Sequence, residues 1–166
     1  MTIQNFYAAA IAHEFARDFQ FRVVSLGPFV ESDLLYLTTA SLPGKTISNQ
    51  VVPYMGLDFN IPGSVKYTGS EAWTLHFRCD EALNTRKRME DWISTIFNVQ
   101  TSTGDYNTPQ GIATMRLLDK NFGTTRTYNF VGIYPKDLGP LAYDIKGTGT
   151  PVEFDCIFAY QWYTFV

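Results

Sequence analysis

Within residues 3–19, apolar side chains fall at Ile3, Phe6, Tyr7, Ala10, Ile11 and Phe15. That spacing of three and four predicts a short amphipathic helix at the N-terminus. The pattern then turns to strands. Phe21 to Leu26 ends at Gly27-Pro28, and Leu34 to Leu42 ends at Pro43-Gly44. Residues 45–63 are different: Ile47, Val51, Val52, Tyr54, Met55, Leu57, Phe59 and Ile61 are punctuated by Pro53, Gly56, Pro62 and Gly63. The stretch is too apolar for a solvated loop and too broken for a central strand, and it reads as an extended, hairpin-like projecting arm. Its apolar residues need a cover, which a neighbouring subunit could supply.

Glu71 to Cys79 alternates cleanly, with Trp73, Leu75 and Phe77 on one face and Thr74, His76 and Arg78 on the other. Asp80 offers an N-cap, and a helix over about 81–98 is expected to bury Met89, Trp92, Ile93, Ile96 and Phe97 as one stripe. Arg86, Lys87, Arg88, Glu90 and Asp91 lie on its other side. Residues 99–111 read as a polar loop. Strands are expected at about 112–119, 125–134 and 152–164, with a turn over 134–139 and a long aromatic strand from Phe154 to Phe165. The predicted fold is mainly β, a barrel or sandwich with one main flanking helix (about 81–98), a short N-terminal helix and the arm (about 45–63).

Composition narrows the function. The chain has 166 residues, enough for one domain with a core that needs no staples. Aromatics are abundant at 16% and charged residues scarce at 17%, which excludes a disordered chain. The formal net charge of −3 disfavours a protein that holds nucleic acid by neutralising phosphates. So little charge on so aromatic a chain points to surface destined for other copies or partners. No basic cluster precedes an apolar core at the start, and the longest apolar run, Phe6 to Ala12, is far shorter than the ~20 residues of a spanning helix. A soluble chain made in the cytoplasm, with no membrane anchor, is expected.

The search for chemistry returns little. Cys79 and Cys156 are the two cysteines; each alternates with apolar neighbours, which predicts reduced thiols on buried strand faces. His13 falls in the N-terminal helix and His76 on the polar side of a strand, and neither forms a Ser-His-acid or Cys-His pattern. Gly44-Lys45-Thr46 lacks the earlier glycine of a phosphate loop, since Thr39 stands there. Gly147-Thr148-Gly149 has no third glycine. Asp80, Glu81, Glu90 and Asp91 are explained by capping and solvation, so no metal, cofactor or catalytic residue is assigned. The residues themselves indicate a non-enzymatic assembly protein. A lipocalin-like ligand carrier and a nucleic-acid-binding barrel remain as competing readings.

An ordered set of short motifs carries a family resemblance. Phe15-Ala16-Arg17, Thr39-Ala40-Ser41-Leu42-Pro43-Gly44, Val52-Pro53-Tyr54-Met55-Gly56 and Ile61-Pro62-Gly63 come first. Trp73-Thr74-Leu75, Asp80-Glu81-Ala82, Met89-Glu90-Asp91-Trp92, Gly132-Ile133-Tyr134-Pro135 and Leu138-Gly139 follow, then the terminal aromatic strand. The set resembles the tail tube (inner tube) protein family of contractile-tailed bacteriophages, whose fold is shared with type VI secretion and tailocin tubes. The resemblance implies a single tail-tube domain over 1–166 and a structural subunit. Hexameric rings would stack into a hollow conduit for DNA ejection inside the sheath. It implies an inter-ring stacking arm of Lys45, Ile47, Val51, Val52, Tyr54, Met55, Phe59 and Ile61, and a sheath-facing helix surface of Arg86, Lys87, Glu90 and Asp91. The implied partners are further copies, the sheath protein, a baseplate tube initiator and a tail terminator, with DNA passing through unbound. The location implied is the virion tail after assembly in the host cytoplasm. A tailocin or secretion-type tube is the alternative.

Overall fold

The computed structural model describes residues 2–12, 15–105 and 111–166. The elements in chain order are α1 (Ile3–Ala12), β1 (Phe21–Leu26), α2 (Glu31–Leu34), β2 (Leu37–Ala40), β3 (Gly44–Tyr54), β4 (Leu57–Thr68) and β5 (Trp73–Arg78). They continue with α3 (Asn84–Ile96), β6 (Phe97–Asn98), β7 (Thr103–Gly104), β8 (Gly111–Leu118), β9 (Thr124–Leu138), β10 (Glu153–Ala159) and β11 (Trp162–Phe165). The protein is mainly β, as its alternating patterns predict. The main sheet runs β1-β8-β9-β10-β5-β2, and β11 adds to β9. Among the described residues no ladder joins β2 back to β1, so the sheet is folded over but open. The sandwich form holds, and the closed-barrel form does not occur within one chain.

The fold turns on β9. Its first part pairs β8 and β11, and its last part pairs β10. Gly111 faces Ile133 while Ile112 faces Val131, which leaves Gly132 as an extra residue at φ +69°. Such a bulge bends the strand and lets it pass from one layer to the other. The strand then continues through 134–138, where a turn was expected. Pro135 is accommodated because it sits beside a second register shift, opposite Phe158. The expected single strand Phe154–Phe165 is two strands, broken at Tyr160-Gln161, where Tyr160 N–H turns to Ser70 O at 2.8 Å and Gln161 N–H to Val131 O at 3.0 Å. Both pieces follow the bend of β9.

Inward faces of the two layers meet in an aromatic core. Trp73 stacks on Phe130 with ring centroids 4.4 Å apart, and Phe77 stacks on Phe154 at 5.6 Å. The interior that a ligand carrier would need to leave empty is filled by these rings together with Leu75, Met115 and Phe158. Against them α3 lays Thr85, Met89 and Trp92. The helix is shorter than the expected 81–98. Residues 80–83 form a turn, Leu83 N–H bonding Asp80 O at 3.0 Å, and Leu83 rather than Asp80 takes the cap position. Phe97 leaves the stripe to join β6 and is exposed. Residues 34–42 are not one strand, because α2 is inserted before a shorter β2. In the predicted N-terminal helix, α1 ends at Ala12 and buries no residue; His13 lies outside the described residues. Cys156 is buried and Cys79 half-buried, both free thiols.

Candidate assembly interface

Among the described residues, strands β3 and β4 pair only with each other, as an isolated two-stranded sheet. Within the ladder, Gln50 faces Ile61, Val52 faces Phe59 and Tyr54 faces Leu57. Directly paired residues share a face, so Val52, Tyr54, Leu57, Phe59 and Ile61 form one apolar face interrupted only by Gln50. The opposite face carries Asn49, Val51, Pro53, Asp58, Asn60 and Pro62, with Asn49 Nδ2 donating to Asn60 Oδ1 at 2.7 Å. The hairpin is therefore amphipathic, yet all five residues of the apolar face are exposed.

The tip makes the same point. Met55 and Gly56 take φ of +49° and +81° in a two-residue turn. Positive φ at both positions favours Asn-Gly, where the Asn side chain tolerates the left-handed region. Methionine there gives up local turn stability to place a flexible apolar side chain, 86% exposed, at the farthest point of the hairpin.

The structure thus brings Val52, Tyr54, Phe59 and Ile61 together and adds Leu57, which the implied stacking set omits and whose cross-strand partnership with Tyr54 marks it. Val51 sits on the other face, and Ile47 pairs Val65 below a register shift. Lys45 lies at the root, its Nζ over the rings of Tyr67, Tyr163 and Phe165. That arrangement depends on long-range folding, and no local signal announces it.

The residues of the implied sheath-facing surface divide. Arg86 is only 18% exposed: its Nη1 donates to Gly139 O at 2.7 Å and its Nε to Glu90 Oε1 at 3.0 Å. Its guanidinium also lies over Phe154, so Arg86 ties α3 to the body. Arg88 pairs with Asp33 at 2.9 Å and holds α2. Lys87, Glu90 and Asp91 are exposed on the outer side.

Elsewhere, the outward face of the β5–β10 pair carries two cross-strand polar contacts, His76 Nδ1 with Asp155 Oδ1 and the ion pair of Arg78 with Glu153. Burial pushes the Cys156 thiol up to about 12, with the negative charge of Asp137 adding to it, so it stays protonated and a poor nucleophile. No group of three potential metal ligands gathers among the described residues. No helix among them is long and apolar enough to cross a membrane.

Comparison with known proteins gives this surface its context. Residues 4–166 match the family model described as phage tail tube protein. A tail tube protein of Serratia phage KSP90 is 24% identical over 128 residues, covering 76% of this chain and 71% of the relative. A chain of the anti-feeding prophage cap, the tube-terminating cap, superposes with a TM-score of 0.67 at 16% identity, covering 93% of this chain and 92% of the other. A chain of the sheath-tube complex of an extracellular contractile injection system, PVC, gives 0.59 at 15% identity with 96% of each chain covered.

Proposed function

The chain belongs to the phage tail tube protein family, and from that premise we propose that six copies close into a ring and that rings stack into the hollow inner tube of a contractile tail. The observation that carries this reading is the amphipathic hairpin whose apolar face lies bare in the monomer. The next ring covers it through Val52, Tyr54, Met55, Leu57, Phe59 and Ile61, and Val51 on the other face with Ile47 and Lys45 toward the root complete the stacking arm. The open sheet supports ring closure, since among the described residues β1 and β2 each have one unpaired edge that a neighbour's strand can complete. Residues 1–166 act as one tube domain.

The family is a structural one, and the subunit works by shape. DNA slides through the bore during ejection without specific binding, so the lining carries no net basic charge, because each phosphate–cation contact would hold the passing strand. The sheath meets the exposed side of α3, where Lys87, Glu90 and Asp91 offer a small polar contact that breaks on contraction, with Arg86 as its inner support. Ring-on-ring stacking is heterologous and open-ended, so a baseplate initiator starts the tube and a terminator ends it. The assembled protein resides in the virion tail. The fold likeness to the anti-feeding prophage and PVC chains supports a second reading, the tube of a tailocin or other injection system.

Negative-stain microscopy of the purified protein tests the proposal. Rings or open tubes are expected as concentration rises. A species that stays monomeric at high concentration and across salt conditions overturns it.

A further inference from the structure

The hairpin meets the rest of the molecule at a narrow root. Its two strands pair with no other strand among the described residues. Glycines flank the root: Gly44 opens β3, and Gly69, at φ +79°, follows β4. A Cβ added to either would meet nothing within 4 Å, so neither is held by packing. Two unpacked glycines at the base of an isolated ladder make a hinge.

The chain entering that hinge is gripped at alternate residues by aromatic side chains. Trp73 Nε1–H donates to Ser41 O at 2.7 Å, and Tyr163 Oη–H donates to Pro43 O at 3.1 Å. Just beyond Gly44 the grip passes to a charge. Lys45 Nζ lies 4.4 Å from the centroid of Tyr163, 5.1 Å from Phe165 and 5.2 Å from Tyr67. A cation within ~6 Å of a ring face is drawn to its negative quadrupole, and here one ammonium serves three rings. Tyr163 and Phe165 belong to β11 in the body, whereas Tyr67 is the direct partner of Lys45 on the return strand. The ammonium therefore bridges both strands of the hairpin to the main sheet across the hinge. Tyr67 completes the joint by meeting Tyr163 edge-on at 5.1 Å.

We infer that Lys45 is a positioning residue: its ammonium, seated on Tyr67, Tyr163 and Phe165, fixes the angle at which the hairpin leaves the sheet. That angle sets the rotation of one ring on the next, a consequence that rests on the tube reading. A bare lysine stem would cover the rings equally well without charge, so Lys45→Met separates covering from clamping. Lys45→Arg keeps the cation.

Electron paramagnetic resonance distances between spin labels at Asp58→Cys and Ser94→Cys, in the whole chain with Cys79→Ser, read the angle directly. The labelled chain is diluted into unlabelled protein so that only intramolecular distances count. The parent gives one narrow distance peak. Lys45→Met loses it for a broad distribution, Lys45→Arg restores it, and the melting temperature of the body is unchanged in both. A narrow, unshifted peak in Lys45→Met, or a broad one in Lys45→Arg, overturns the inference. Cryo-microscopy of the same variants carries the second readout: uniform twist for the parent and Lys45→Arg, and variable twist for Lys45→Met. If the parent forms no tubes the tube reading fails, while the distance measurement still decides the clamp.

Discussion

Cys156 donates its thiol proton toward Met89 Sδ at 3.8 Å, deep in the core. Because burial holds that thiol protonated up to about 12, a disulfide reagent near pH 8 should label Cys79 and leave Cys156 until denaturant is added. The same shift links to stability. In the unfolded chain the thiol ionises at its ordinary value near 9, while in the folded protein it keeps its proton to about 12. The folded state then binds more protons across that window, so stability is full below pH 9 and falls as pH climbs. Urea midpoints between about pH 9 and 10 should decline, and the decline should be shallower in Cys156→Ala, with Cys79 and Tyr160, which burial also raises, keeping the remainder. Gly27 is the second residue with a single fixed role. At φ +47° it ends β1 directly beneath the indole of Trp92, and a Cβ there would overlap the ring. Gly27→Ala should destabilise by about 2–4 kcal/mol, combining positive-φ strain with overpacking, as read from denaturant unfolding.

Elements were legible where a face alternates and ambiguous where a special residue reroutes the backbone. Strand β5 follows its alternation, and α3 follows its stripe of Met89 and Trp92, because burial on one side enforces period, while β1 stands where its apolar run put it but buries Val23 and Leu26 across a register shift. The apolar, Pro- and Gly-broken stretch 45–63 announced a projecting arm, and a hairpin of Gly44–Tyr54 with Leu57–Thr68 stands there. Its split into an apolar and a polar face was not legible, since the register shift near Ser48 resets the alternation. Pro135 falls in the turn expected over 134–139, and only the register shift beside it, with the bulge at Gly132, lets β9 run through. Within the hairpin, Tyr54→Asp places a charge on the apolar face at a site exposed in the monomer. Monomer stability should move by no more than about 0.5 kcal/mol, while on the proposed arm contact stacking should weaken strongly, because the charge would be buried between rings. Met55→Asn provides the complementary case: the turn gains a residue suited to its positive φ, so hydrogen exchange at the tip should slow as tubes shorten. Tubes of normal length in Tyr54→Asp, measured by microscopy, would remove the arm from the stacking contact.

At the scale of the whole molecule, two kinds of surface respond oppositely to salt. The apolar face of the hairpin, Val52, Tyr54, Leu57, Phe59 and Ile61 with Gln50, holds no charged side chain, and burial of such area is insensitive to screening and strengthened by excluded salts such as sulfate. The outer side of α3 presents Lys87, Glu90 and Asp91, charges whose reach at 1 M ionic strength falls to about 3 Å. A tube built on the hairpin should therefore survive a rise from about 0.15 M to 1 M sodium chloride and lengthen in sulfate, as sedimentation would register. A sheath bound through α3 should loosen over the same range. In the contractile tail proposed for this subunit the separation would matter mechanically, because contraction would have to strip one contact while the other stays intact. If salt disperses the tubes first, ring stacking is ionic, and the bare face of Val52, Tyr54, Leu57, Phe59 and Ile61 is not what joins one ring to the next.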